Sequence, residues 1–158
     1  MIRIRPATRD DWPTVDGLIR HTAAETSPLP VEDHPDDLLA RTDPADVLVA
    51  TTDEQVVGFV KLGRPTSMAT NAHVLTIAGL AVAPERQGVG VGRSLALAAI
   101  QAARVRGARR LTLHVLGTNR RARDLYSSLG FVVEGVLREE FLIGGKYVDD
   151  VLMALPLT

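Results

Sequence analysis

The 158-residue sequence contains no cysteine. This absence excludes disulfide bonds, catalysis by a thiolate, and metal sites that depend on cysteine ligands. The histidines do not compensate, because none of them has the short spacing to another that is typical of metal-binding motifs; the four are His21, His34, His73 and His114. We therefore predict that the protein binds no metal.

Long hydrophobic runs are also missing. The longest, near Leu95–Ile100, is followed by Gln101 and Arg104 and falls well short of the roughly 20 residues that a helix needs to cross a bilayer. The first six residues alternate apolar and charged side chains and do not resemble a secretory signal. From these features we predict a cytoplasmic protein that does not enter a membrane.

The net charge is small, at −1, which argues against a nucleic-acid partner. The charges are nevertheless unevenly distributed. Residues 21–54 contain nine acids and one base, whereas residues 85–123 contain nine arginines and one acid. The pattern indicates an arginine-rich half that faces anions and an acidic loop, Glu25–Asp37, that attracts a cationic acceptor, with two solvated faces as the alternative.

The rest of the composition is that of an ordinary globular protein, and the length predicts one domain over residues 1–158. Apolar periodicity predicts a hairpin over Val47–Leu62, a strand over His73–Val82, a helix over Gly90–Arg106 and a closing hairpin over Phe131–Leu155. A strand and a short helix lie between the last two of these. This order of elements indicates an α/β (α+β) fold with helices packed on one mixed sheet.

A glycine-rich turn, Val82–Arg93, is the strongest local signal, because it leaves a predicted strand and enters a predicted helix. Gly88, Gly90 and Gly92 allow main-chain N–H groups to face a concavity, and the N-terminus of the helix adds partial positive charge. The turn therefore suits an anion such as a pyrophosphate. It lacks the third glycine of the dinucleotide fingerprint and the lysine of a nucleoside-triphosphate loop.

Two motifs resemble those of a known enzyme family. The first is Gln87-x-x-Gly90-x-Gly92, preceded by Pro84 and Leu80-x-Val82, and it resembles the acyl-CoA pyrophosphate loop of the GNAT superfamily of N-acetyltransferases. The second, Asn119-x-x-Ala122-x-x-Leu125-Tyr126-x-x-Leu129-Gly130-Phe131, resembles the next motif of that family. The resemblance implies a mostly antiparallel sheet with helices on both faces and central parallel strands that splay apart.

The same resemblance implies that acetyl-CoA is the co-substrate. Pantetheine would pair with the main chain of one splayed strand, and the glycine-rich turn would hold the pyrophosphate. The family is often basic at the position of Val89, so Arg86 and Arg93 are the candidates to supply that charge. The predicted cofactor-binding residues are Leu80, Ala81, Val82, Gln87, Gly88, Val89, Gly90, Val91, Gly92, Arg93, Asn119, Ala122 and Tyr126.

Tyr126 matches the general acid of the family, which donates a proton to the departing CoA thiolate. A phenol with an ordinary pKa near 10 is a weaker acid than a thiol with a pKa near 8.5, so full transfer is uphill by about 2 kcal/mol unless the site lowers the pKa of the tyrosine. Tyr126 is therefore predicted to act mainly by hydrogen bonding to the sulfur.

The general base is less obvious. Many family members place an acid near the positions of Ala78 and Gly79, which here offer no side chain for this role. His114 lies on the strand before Asn119, where the ribosomal-protein alanine acetyltransferases carry a glutamate base, and an imidazole is suited to proton transfer near neutral pH. We predict His114 as the base, with a water relay to Glu139 or Glu140 as the alternative.

The family resemblance implies transfer of an acetyl group from acetyl-CoA to a primary amine in a ternary complex, without an acyl-enzyme. The acceptor classes left open are a small amine, an amino acid and a protein N-terminus. A non-catalytic acyl-CoA-binding or sensing module is the alternative, because the usual acid is missing from Ala78 and Gly79. Exposed strands near the C-terminus also allow a homodimer.

Overall fold

A computed structural model describes the backbone of residues 1–26 and 39–158 and the side chains of residues 1–22 and 39–158. The predicted acidic loop, Glu25–Asp37, lies outside the described side chains. The helices and strands are β1 (Arg3–Pro6), α1 (Trp12–Thr26), β2 (Val47–Thr52), β3 (Gln55–Gly63), β4 (Val74–Val82), α2 (Val91–Val105), β5 (Arg110–Leu116), α3 (Arg120–Ser128), β6 (Val132–Ile143) and β7 (Lys146–Pro156). The two predicted hairpins, the strand before the glycine-rich turn and the helix after it are all present.

The strands form one sheet in the order β1-β2-β3-β4-β5-β7-β6. Neighbouring strands are antiparallel except for β4 and β5, which run parallel and are linked through α2. A parallel pair needs such a crossover connection, whereas the antiparallel pairs β2–β3 and β6–β7 are joined by short turns. The predicted fold class, a mixed and mostly antiparallel sheet, is confirmed.

The central parallel strands separate partway along their length. β4 and β5 are paired from Val74 and Arg110 to Ile77 and Leu113 and no further. Beyond that point β4 continues against β3, and β5 continues against β7. The register between β3 and β4 shifts where Ala78 is the extra residue, and a bulge of this kind bends and twists a strand. The splayed strands predicted from the family resemblance are therefore observed.

Helices cover both faces of the sheet, as predicted. On one face α2 packs its apolar stripe, which includes Leu95 and Ala99, against Val60 of β3. On the other face Val15 and Leu18 of α1 pack with side chains that include Phe59. Val60 and Phe59 are adjacent in one strand, so their side chains point to opposite faces. The opening between β4 and β5 is thus enclosed between two helical layers.

No helix among the described residues is long and apolar enough to span a membrane.

Candidate active site

Two adjoining cavities lie at the opening between β4 and β5. The first, here the helix cavity, has a volume of about 470 Å³ and is lined by residues of α1, β3, β4 and β5, among them Ile19, Lys61 and His114. The second, here the loop cavity, has a volume of about 620 Å³ and lies beside the glycine-rich turn and α3, with Gln87 and Gly88 in its lining. The two share six lining residues, which are Thr22, Leu80, Ala81, Asn119, Ala122 and Tyr126.

The glycine-rich turn has the backbone geometry of an anion site. Gly88 and Gly90 adopt positive φ angles of 81° and 94°, which other residues rarely tolerate. Gln87 stabilises the turn, because its Nε2 donates a hydrogen bond to the carbonyl of Val82 at 3.1 Å. α2 begins at Val91 without a side-chain cap, so its first N–H groups remain available to a ligand.

Most of the predicted cofactor-binding residues line the loop cavity. They are Leu80, Ala81, Val82, Gln87, Gly88, Gly92, Asn119, Ala122 and Tyr126. Four others do not line it with their side chains. Val89 is exposed, the Val91 side chain is buried in the core, Gly90 has none, and Arg93 donates a hydrogen bond to Ser128 on α3 at 3.2 Å. For all thirteen residues a role in cofactor binding stays a prediction, and at Gly90 and Val91 that role belongs to the main chain.

The cationic side chains of the loop cavity come from α3. Arg120 and Arg121 line it, and the guanidinium of Arg121 donates a hydrogen bond to Oε1 of Gln87. Asn119 positions this helix, because its Oδ1 accepts a hydrogen bond from the main-chain N–H of Ala122 at 3.2 Å. The two arginines were missed as site residues, although they belong to the arginine-rich stretch and directly follow a motif asparagine.

Tyr126 lies where the two cavities meet. It is 6% exposed and makes an edge-on contact with Phe131, with ring centroids 5.4 Å apart. Burial raises the pKa of Tyr126 above its ordinary value, because the phenolate loses hydration. The site therefore moves this pKa away from that of a thiol, and Tyr126 is kept as a neutral hydrogen-bond donor.

His114 lines the helix cavity, and its side chain is 60% exposed. Its Nδ1 lies 2.8 Å from Oδ2 of Asp150, a buried residue of β7. Asp150 was not among the residues singled out in the sequence. The alternative proton acceptors, Glu139 and Glu140, are exposed on β6 and line neither cavity.

Besides His114, the described residues that line the helix cavity include one charged side chain. Lys61 of β3 lies there, and its Nζ donates a hydrogen bond to Oγ1 of Thr42 at 3.2 Å. Ala78 and Gly79 also line this cavity and bring no acid to it. The described lining of the helix cavity therefore contains no carboxylate.

Within the described parts of the chain, no group of three or more His, Asp or Glu side chains is arranged to hold a metal ion.

Comparisons with known proteins agree with this geometry. The model of the acetyltransferase (GNAT) family matches residues 11–131. A phosphinothricin N-acetyltransferase from Alcaligenes faecalis is 32% identical over 167 residues, a match that covers 98% of this chain and 82% of the relative. A spermidine N(1)-acetyltransferase from Vibrio cholerae is 34% identical over 103 residues, which are 65% of this chain and 57% of that relative.

A solved structure shares the fold. A protein from Salmonella typhimurium, whose structure was determined with its cofactor acetyl-CoA, superposes with a TM-score of 0.91 over 100% of this chain and 95% of its own, at 24% identity. The chain belongs to the acetyltransferase (GNAT) family. Within that family it is an acetyl-CoA-dependent N-acyltransferase, with acetyl-CoA as its co-substrate.

Replacing Arg121 with alanine is expected to raise the dissociation constant of acetyl-CoA roughly tenfold, because a hydrogen bond to a charged group contributes about 1.5–3 kcal/mol. Arg104→Ala, near the far end of α2, is the matched control and should leave the constant unchanged. Calorimetric titration with acetyl-CoA measures both variants. If Arg121→Ala and the control have equal dissociation constants for acetyl-CoA, Arg121 does not contribute to the site. The same titration of Arg93→Ala tests the sequence-based prediction that Arg93 binds the cofactor.

Proposed function

We propose that the protein transfers the acetyl group of acetyl-CoA directly to the primary amine of a small molecule that also carries an anionic group. The observation that carries this proposal is the meeting of the two cavities at Tyr126, with the glycine-rich turn on one side and His114 on the other. This arrangement allows acetyl-CoA and the amine to be bound together, so no acyl-enzyme is needed.

The residues of the loop cavity fit acetyl-CoA. The positive φ angles of Gly88 and Gly90 and the uncapped start of α2 suit a pyrophosphate, while Arg120 and Arg121 suit phosphate oxygens. Beyond Ile77, the edge of β4 that faces β5 has no strand partner in the part of the chain that the structure describes, so we propose that its main-chain groups bind pantetheine. Bound acetyl-CoA supplies a thioester whose carbonyl carbon accepts the amine while the sulfur leaves.

The proposed roles of the side chains follow from the protons that must move. An ammonium group loses two protons when it becomes an amide. Nε2 of His114 takes the first proton and passes it to solvent. The acceptor is then a free amine that can attack the thioester carbonyl carbon. The C–N bond forms as the C–S bond breaks, Tyr126 hydrogen-bonds to the departing sulfur, and the second proton ends on that sulfur as a thiol.

Replacing Tyr126 with phenylalanine is expected to lower kcat about 10- to 100-fold, because the leaving sulfur loses its hydrogen-bond donor in a water-poor cleft. The dissociation constant of acetyl-CoA should change little, since the ring and its contact with Phe131 remain. Release of the CoA thiol and calorimetric titration measure the two quantities. Unchanged turnover would refute the proposed role of Tyr126.

The proposed charge of the acceptor is based on the position of Lys61. In the helix cavity this ammonium is placed to pair with an anionic group of the acceptor, and no carboxylate in the described lining competes for it. Among the classes that the sequence left open, an amino acid best fits this charge. The two curated relatives are named for different acceptors, spermidine and phosphinothricin, so family membership by itself leaves the acceptor open.

Replacing Lys61 with glutamine is expected to raise KM roughly tenfold for amino acids, because their carboxylate loses a charge-assisted hydrogen bond. Simple alkylamines, which carry no carboxylate, should show no such change. Lys146→Gln, at the exposed turn between β6 and β7, is the matched control. A preference of the wild type for diamines would instead support the acidic loop, Glu25–Asp37, as the attractor of a cationic acceptor.

A non-catalytic acyl-CoA-binding module is not favoured, because the family and both curated relatives are N-acetyltransferases. Thiol release from acetyl-CoA with a panel of amines distinguishes the two, since a binding module releases none with any amine.

A homodimer through β6 is part of the proposal. This strand is at the end of the sheet and carries exposed apolar side chains, which include Val132, Val136 and Leu142. An exposed edge strand of this kind is open to pairing with a second copy. Sedimentation at micromolar concentration measures the association.

A cytoplasmic location, and the lack of a nucleic-acid partner, stay predictions that cell fractionation and a nucleic-acid binding assay test.

A further inference from the structure

A buried carboxylate lies behind His114. Asp150 is 7% exposed, and its Oδ2 is 2.8 Å from Nδ1 of the histidine. The strand register explains the contact, because His114 is paired with Leu152 and Asp150 with Leu116. The two side chains are therefore diagonal neighbours on one face of the antiparallel pair β5–β7.

The backbone around this pair is held firmly in place. The main-chain N–H of Gly117 donates a hydrogen bond to the carbonyl of Asp149 at 2.8 Å, directly beside Asp150. A Cβ atom on Gly117 would lie 3.1 Å from Cβ of Asp149, so only glycine permits this close approach without a shift. Arg123 in α3 donates a hydrogen bond to the Gly117 carbonyl at 3.1 Å. The end of β5 is thus fixed to both β7 and α3.

The contact determines which nitrogen of His114 carries the proton. An ionised carboxylate can only accept hydrogen bonds, so Nδ1 must donate to Asp150. The neutral ring then has its lone pair on Nε2, the nitrogen that is left for the helix cavity. The other titratable side chains in the described lining of that cavity are Lys61 and Tyr126, and neither forms a hydrogen bond with His114.

We propose that Asp150 is a positioning residue for the transfer reaction: it holds His114 as the Nδ1–H tautomer and stabilises the imidazolium that forms when Nε2 takes the acceptor's proton. This inference rests on the proposed function of His114 as the base. The proton moves from the acceptor ammonium to Nε2 and then to solvent, and Asp150 remains an ionised hydrogen-bond acceptor throughout. Its effect on turnover therefore requires His114.

The tautomer can be measured on the unaltered protein, without reference to activity. A two-dimensional spectrum of protein labelled with ¹⁵N in its histidine rings identifies the protonated nitrogen, and the His114→Gln variant assigns the signals. We expect His114 to be protonated at Nδ1 and not at Nε2 in its neutral form. The Nε2–H tautomer would overturn the proposal, whether or not Asp150 variants fold.

A double-mutant cycle then separates positioning from a purely structural role. Asp150→Asn is expected to lower kcat roughly 100-fold, within the range of general-base catalysis, while KM for acetyl-CoA changes less than about twofold. In the His114→Ala background the same change should have no further effect. Asp124→Asn, which removes an exposed charge from α3, is the control and should match the wild type.

Two outcomes of the cycle contradict the proposal in different ways. If Asp150→Asn lowers kcat equally with and without His114, the carboxylate stabilises the fold and does not act through the base. In that case thermal unfolding would show that the Asp150→Asn variants are less stable. Unchanged turnover in His114→Ala would instead overturn the base assignment under the proposed function, and the positioning role with it. The tautomer measurement distinguishes these failures, because it reports the pairing independently of catalysis.

Discussion

The separation of β4 from β5 is the constraint on which the rest of the site depends. As far as Ile77 and Leu113 the two strands satisfy each other's main-chain groups, and beyond that point they do not. Buried main-chain groups need hydrogen-bond partners, so an opening in the middle of a sheet is stable only where a ligand or solvent supplies them. The bulge at Ala78 bends β4 at this point, and both cavities lie there.

The packing that encloses the opening also determines its electrostatics. Arg120 and Arg121 stand at the loop cavity, beside the glycine-rich turn, while Tyr126 is buried where the two cavities meet. We therefore propose that the phosphate groups bind in the loop cavity and that the thioester reacts beside Tyr126. The burial that raises the pKa of Tyr126 keeps its hydroxyl protonated, which makes it a dependable donor but a weak acid.

Local patterns predicted the fold and the glycine-rich turn well, because periodicity and glycine spacing are properties of short stretches. The residues missed in the site are brought together over long stretches of chain. Asp150 meets His114 across 36 residues, and Arg121 meets Gln87 across 34. Arg93 shows the same limit: its place in the turn predicts a phosphate contact, which stays a prediction, while the rotation of α2 brings its side chain within hydrogen-bond distance of Ser128 on α3. Strand register and helix rotation decide such contacts, and neither is visible in a motif.

The choice of His114 as the proposed base is consistent with an acceptor that carries an anionic group. β4 offers no carboxylate at Ala78 or Gly79, and the base that we propose, His114, lies on the opposite strand of the opening. A carboxylate base would repel an acceptor that carries its own anionic group, whereas an imidazole is uncharged until it takes the proton. With Lys61 in the same cavity, the proposal places the negative charge on the acceptor and the positive charge on the enzyme. In this proposal Asp150 supplies the countercharge to the imidazolium from β7, where it is buried and its Oδ2 lies 2.8 Å from Nδ1 of His114.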